Sequence, residues 1–235
     1  MPFIEVYMYF DNQLTTIEYN NLTNRMTKNY GSLDLYKVNR IIETVQKSLR
    51  YYSRVRAFRI DLRFANDYMD GDVDTPSHFQ QADPKAITRF FESLKSQLKV
   101  YRKNKNIMVS RDDFKYIWTR EKDESFHHHY HLVLLFDKDV YYHLGDCSPD
   151  NSSGIAAMIQ KAWCSALRVS FPEYATLVHF PDNCAYNLEG KNATLQDEKF
   201  IWALERFLYL SKVDTKTTDD GFRNFGCSQF PVYSL

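Results

Sequence analysis

His127-His128-His129-Tyr130-His131-Leu132-Val133-Leu134-Leu135-Phe136 sets four of the chain's seven histidines directly before an unbroken apolar run. In a strand, residues two apart share a face. His129 and His131 therefore project together, while Tyr130 and Leu132 point to the opposite side. The apolar run behind them holds that strand in a core. Two imidazoles on one rigid strand supply half of a divalent-metal site. A solvated His-rich turn or a packing pair is the plainer reading of any single histidine. It fits less well a His-x-His that opens a buried strand. The cluster is internal, so it is not an appended tag.

Upstream, Phe114–Glu121 also reads as a strand, and the charged segment Lys122–Ser125 separates the two as in an antiparallel hairpin. Antiparallel pairing can bring Glu121, eight residues before His129, beside it. Glu121 is the expected third ligand; Glu124 and His127 compete, and an exposed hairpin charge is the plain alternative. One carboxylate with two imidazoles suits Mg²⁺ or Mn²⁺ better than structural zinc, and leaves positions for a phosphate oxygen and water.

Further out, Val55–Phe64 reads as a strand with Phe58, Ile60, Leu62 and Phe64 on one face and Arg59, Asp61 and Arg63 on the other. Arg59 and Arg63 are candidate DNA contacts, or partners of Asp61 and nearby carboxylates. Alternation over Ile4–Phe10 predicts a strand or extended arm, and residues 11–32 are polar and Asn/Thr-rich with no element assigned. Helical spacing predicts helices over 33–52, from Asp83-Pro84 through Tyr101, over 153–168 and over Leu195–Lys212. Thr176–Phe180 reads as a short strand, 181–194 as a loop and the Thr-rich tail as loop. The order predicts an α+β fold, an antiparallel central sheet with flanking helices. The expected organisation is an N-terminal extension over 1–52, a strand or arm plus helix, packed on a main domain over 53–235.

In the last helix Ile201, Leu204 and Leu208 suit the core, while Trp202, Arg206, Tyr209 and Lys212 lie on another face. A phenol is a weak nucleophile at neutral pH, and a nearby cation or metal favours its phenolate. Lys212, one turn on, could hold a phosphate. With 17 tyrosines a Tyr-x-x-Lys pair also arises by chance, so it gains weight only beside the His-x-His strand.

Lys+Arg and Asp+Glu are both 30, a formal net charge of zero, which counts against a nonspecific nucleic-acid coat but not against a local basic groove. Lys95, Lys99, Arg102, Lys103 and Lys105 make a basic helix end. No stretch is long and apolar enough to span a bilayer and no basic leader precedes one, so no membrane partner and a cytoplasmic location are expected. Cys147, Cys164, Cys184 and Cys227 form no C-x-x-C pair and read as reduced thiols.

Three motifs stand in the order used by the HUH (His-hydrophobic-His) replication initiators. Phe58-Arg59-Ile60-Asp61-Leu62-Arg63-Phe64 resembles that family's first motif, Arg120-Glu121 with His129-Tyr130-His131-Leu132 its metal motif, and Tyr209-Leu210-Ser211-Lys212 its catalytic motif. More narrowly, Trp118-x-Arg120-Glu121, His-Tyr-His-Leu and Tyr-Leu-Ser-Lys-x-Asp214 resemble the filamentous-phage (inovirus-type) replication proteins and the related YagK/YfjJ family of prophages, over roughly residues 50–230. The resemblance implies a ferredoxin- or RRM-like sheet and Mg²⁺ or Mn²⁺ held by Glu121, His129 and His131. Tyr209 and Lys212 would then be catalytic, and Arg59, Arg63, Arg120 and Arg206 would contact DNA. The implied activity is nicking of single-stranded or origin-hairpin DNA through a 5′-phosphotyrosine, with a host helicase as partner. Two-tyrosine initiators place a second tyrosine one turn away. Here positions 205 and 213 are Glu and Val, which implies a single-tyrosine enzyme. Rival readings are a catalytically silent DNA-binding regulator, a water-using metal nuclease and a structural protein with a surface His turn.

Overall fold

The computed structural model describes residues 15–65, 80–81, 83–108, 113–121, 128–190, 197–213 and 221–230. Their alternating and helical apolar patterns resolve into two layers of helices on either side of one sheet. In chain order the helices are α1 (Thr16–Tyr30), α2 (Leu35–Tyr52), α3 (Ala86–Asn104), α4 (Gly154–Leu167) and α5 (Glu198–Leu208). The strands are β1 (Arg54–Leu62), β2 (Phe114–Glu121), β3 (His129–Asp137), β4 (Val178–His179), β5 (Ala185–Glu189) and β6 (Phe225–Cys227). Short 3₁₀ turns occupy Ala175–Leu177 and Tyr209–Ser211.

The sheet runs β4-β1-β3-β2-β6, and every pairing is antiparallel. Strand β5 also pairs with the outer edge of β1, beside Arg54–Phe58, while β4 takes the stretch at Asp61 and Leu62. The α+β architecture with an antiparallel sheet and flanking helices is thus the one the element order predicts.

Alternation divides each central strand between two cores. Phe58, Ile60 and Leu62, with Tyr130, Leu132, Leu134 and Phe136, pack under α3 and α4. Val55, Ala57, Ile117, Val133 and Leu135 face α1, α2 and α5. The site described below lies on this second face. At the outer strand, a Cβ on Gly226 would lie 2.6 Å from Trp118 Nε1, so only glycine lets β6 approach β2 this closely.

Several elements differ from the sequence reading. Residues 16–30 form a helix although they are polar. A capping box fixes its start: Glu18 N–H donates to Thr15 Oγ1 (3.2 Å) and Thr15 N–H to Glu18 Oε2 (2.8 Å). Packing of Leu22 and Met26 then holds it. Ala185–Glu189 is a strand rather than loop, because Tyr186 and Leu188 are buried in the second core. Phe225–Cys227 is a strand in the tail expected to be loop. The last helix stops at Leu208, short of Lys212. Within it Phe200 and Phe207 join Leu204 and Leu208 in the core, and Ile201 is only half-buried. The strand expected over Ile4–Phe10 lies outside the described residues.

Trp163 anchors the first core. It is fully buried, its ring edges meet Phe90 and Tyr130, and its indole N–H donates to Arg63 O at 2.6 Å. Trp163→Ala should cost about 3–5 kcal/mol in urea unfolding, because a large cavity opens and a carbonyl loses its donor. A loss below about 1 kcal/mol would show that this layer does not carry the fold.

Candidate functional site

The β1–β3–β2 register places the site's side chains on successive rungs. His179, Asp61, His131 and Thr119 stand in line across β4, β1, β3 and β2, and Glu121 faces His129 on the next rung. All these residues alternate onto the second face. The hairpin of β2 and β3 brings Glu121 to the histidine pair, as the eight-residue spacing allows.

Glu121, His129 and His131 each offer a ligand atom, and these atoms lie within 4.8 Å of one another. His129 Nε2 is 3.2 Å from His131 Nε2, and His131 Nε2 is 3.3 Å from Glu121 Oε2. Adjacent ligands on an octahedral ion with bonds of about 2.1 Å stand about 3 Å apart, so the three donors fit one small divalent cation. Glu121 and His131 are 2% and 9% exposed, and His129 is half-buried, which leaves one open side. The competing ligands Glu124 and His127 lie outside the described residues.

Asp61 organises the site, although the sequence reading gave it no role beyond pairing with arginine. Its Oδ1 sits 2.5 Å from His131 Nδ1, and its Oδ2 is 3.2 Å from His179 Nδ1. A carboxylate on Nδ1 fixes the ring and turns Nε2 towards His129 and Glu121. Burial works to raise the Asp61 pKa, but the His131 hydrogen bond and charge, Arg59 and His179 outweigh it, and the carboxyl is held well below the usual range. For His131, burial favours the neutral ring, yet Asp61 and Glu121 outweigh that and raise its pKa.

The end of α5 delivers Tyr209 to this cluster. Ser211 Oγ donates to Leu208 O at 2.6 Å, and the chain tightens into the 3₁₀ turn. Asp34 N–H donates to Ser211 O (2.9 Å) and Val213 N–H to Ser32 O (3.0 Å), which staples the turn to the α1–α2 connection. Tyr209 packs edge-on against His131, with ring centroids 5.7 Å apart, and against Tyr30 at 5.4 Å. The Arg59 guanidinium lies over its ring at 5.3 Å and 3.7 Å from Asp61 Oδ1. Burial is the main cause that raises the Tyr209 pKa; the Glu121 carboxylate adds to it and Arg59 opposes it. The structure thus joins residues 148 positions apart in sequence, Asp61 and Tyr209, through His131.

The other residues singled out from sequence are dispersed. Lys212 is half-buried in extended backbone (ψ 139°) and pairs with Leu33 rather than continuing a helix. Arg120 is buried on the opposite strand face from Glu121, with its guanidinium 5.9 Å from the Phe222 ring. Arg63 is exposed just beyond β1, and Arg206 is half-buried on α5. The basic end of α3 packs on the first face, across the sheet from the triad, and Arg102 within it pairs with Asp113. Asp61, Tyr30 and His179 were missed. Of these, Asp61 left the clearest signal, a lone acid alternating onto the polar face of an otherwise apolar strand.

A model of the YagK/YfjJ C-terminal domain matches residues 15–228. The chain is 40% identical over 184 residues to the uncharacterized protein YagK of Escherichia coli strain K12, covering 77% of this chain and 86% of that protein. It is 35% identical over 210 residues to the uncharacterized protein YfjJ of the same strain, covering 85% and 97%. No solved structure matches the chain. With nearly its whole described length matched, from the capped start of α1 to the end of β6, the chain belongs to the YagK/YfjJ C-terminal domain family.

Proposed function

We propose that this chain is a metal-dependent, single-tyrosine DNA nickase and strand transferase of the HUH type, which starts rolling-circle replication of a phage or other mobile element. One observation carries the reading: a phenol, Tyr209, packs against an imidazole, His131, of a triad whose donor atoms suit one divalent cation. Neither feature alone would point to transesterification. Together they support a reading in which a tyrosine acts as nucleophile on a phosphate held at the triad.

In this reading Glu121, His129 and His131 hold Mg²⁺ or Mn²⁺, which when bound supplies Lewis-acid polarisation of a non-bridging phosphate oxygen. Asp61 keeps His131 oriented. Tyr209 Oη attacks the scissile phosphorus in line and its proton is lost. The bond to the 3′ oxygen breaks, that oxygen takes up a proton, and the 5′ phosphate stays on the tyrosine. Attack of a 3′-hydroxyl on the phosphotyrosine reverses these changes and rejoins a strand. Neutralising the Glu121 charge removes one cause that holds the phenol protonated, and Arg59 over the ring acts in the same direction. Lys212, three residues after Tyr209 and bridged to Leu33, lies outside the cluster and would have to reach the bound substrate to offset charge on the pentacoordinate state. The substrate is single-stranded DNA or an origin hairpin; the released 3′-hydroxyl would prime a polymerase, with a host helicase as the partner that unwinds the duplex.

Labelled single-stranded oligonucleotides from the gene's own neighbourhood, incubated with Mn²⁺, should yield a denaturation-resistant protein–DNA band. Chelator should abolish it, and Tyr209→Phe should reduce it by at least about 10³-fold. Cleavage without an adduct would replace this reading with a water-using nuclease, and tight binding with no cleavage would replace it with a silent regulator.

Mn²⁺ should raise the melting temperature of the wild type but not of His129→Ala/His131→Ala. Asp61→Asn should weaken Mn²⁺ binding by about 10–100-fold, as loss of an orienting carboxylate does at other sites. Equal affinity in calorimetry would show that Asp61 does not tune the site.

A further inference from the structure

Beside the Tyr209 turn lies a second feature that the chemistry above does not use. A cleft of about 610 Å³ opens between the first turns of α2 and strand β6. Tyr36, Lys37, Arg40, Arg223 and Phe225 are among its lining residues. Among the described lining residues Asp34 is the one carboxylate against three cations, an excess of two positive charges there in a chain whose formal net charge is zero.

The cleft is built onto the site. Phe225 pairs with Thr119, and Thr119 pairs with His131, so the cleft wall stands two strand spacings, roughly 10 Å, from the triad on the same face. Its other wall, the start of α2, is joined to the Tyr209 turn by the Leu33–Lys212 bridge and the Asp34–Ser211 hydrogen bond.

Its side chains are arranged to receive an anion with a flat appendage. Lys37 is only 7% exposed, yet among the described residues its ammonium is matched by Asp34 at 3.5 Å and by the Phe225 ring face at 5.9 Å. An ammonium has three donors, so it can still give hydrogen bonds to phosphate oxygens. Arg40 is fixed by Glu43 and by Cys227 Sγ (3.2 Å), which keeps the floor rigid. Arg223 is exposed at the rim, and Tyr36, 67% exposed, also lines the cleft. Ammonium and guanidinium groups interleaved with open ring faces bind single strands by phosphate contact and base stacking.

We propose that this cleft is a binding channel for single-stranded nucleic acid flanking the cleaved phosphate, with Lys37 and Arg223 on phosphates and Tyr36 under a base. The assignment of the neighbouring phosphate as the cleaved one rests on the nickase reading; the binding itself does not.

The test is fluorescence anisotropy of the full chain with a labelled oligodeoxythymidine of about 20 nucleotides, in chelator so that no cleavage occurs, across a salt series. Arg223→Ala, an exposed change that cannot disturb the core, should lower the slope of log K against log salt by about 0.7. Lys37→Met, which keeps the buried stem, combined with Arg223→Ala should lower it by about 1.4 and weaken binding at least about 10-fold. Lys95→Ala/Lys99→Ala, across the sheet, should change neither. Failure of the wild type to bind, or unchanged affinity and slope in both cleft variants, would overturn the channel. If the wild type forms an adduct when Mn²⁺ replaces chelator, but binding is unchanged in the cleft variants, the channel alone fails. If binding is lost in the cleft variants, and the wild type forms no adduct even with Mn²⁺, the channel stands and the nickase reading fails.

Discussion

The site depends on a single pairing register. Antiparallel pairing of β1 with β3 sets Asp61 opposite His131, and pairing of β3 with β2 sets Glu121 opposite His129. Because strand side chains repeat with period two, a slip of one residue in either pair would turn the affected ligands into the α3–α4 core. The register is locked by burial on both faces. Leu132, Leu134 and Phe136 must face one core and Val133 and Leu135 the other. The triad is thus positioned by the apolar residues that fix the register.

Holding a buried carboxylate and a buried imidazole 2.5 Å apart is costly unless each remaining polar atom finds a partner. Asp61 meets this by dividing its oxygens between His131 and His179 and by taking Arg59 alongside. Arg59 in turn covers the Tyr209 ring. Arg59 and His131, which make the buried charge tolerable, also pack against the phenol, so the charge cluster and Tyr209 are structurally coupled at this corner of the sheet. That coupling accounts for a strand such as β1 carrying Arg59 and Asp61 amid Phe58, Ile60 and Leu62.

Much of this was legible in the sequence. The His-x-His at the head of an apolar run, Glu121 at the end of the preceding strand and Tyr209 near the end of the last helix each left a local pattern. Elements without such a pattern were lost. Helix α1 buries mainly Leu22, Thr23 and Met26, too few for a clear apolar stripe, though Thr15 and Glu18 spelled out its capping box. Strands β5 and β6 are short and owe their existence to long-range pairing with β1 and β2. Tertiary context also overrode helical spacing at Lys212, where Ser211 and the 31–34 connection end the helix early. Tyr30 and His179 reach the site only through the fold, and no spacing in the chain announces them.

The central proposal is that Tyr209 is a nucleophile toward a DNA phosphate beside the Glu121, His129 and His131 triad. Its most direct test is peptide mapping by mass spectrometry of protein incubated with a single-stranded substrate and Mn²⁺, then digested with nuclease and trypsin. Trypsin cuts after Arg206 and Lys212 and releases the segment Phe207–Lys212, which holds one tyrosine. The account predicts a nucleotide mass on that segment, assigned to Tyr209 by fragmentation. A nucleotide on any other segment, or nicked product with every tyrosine unmodified, would contradict it.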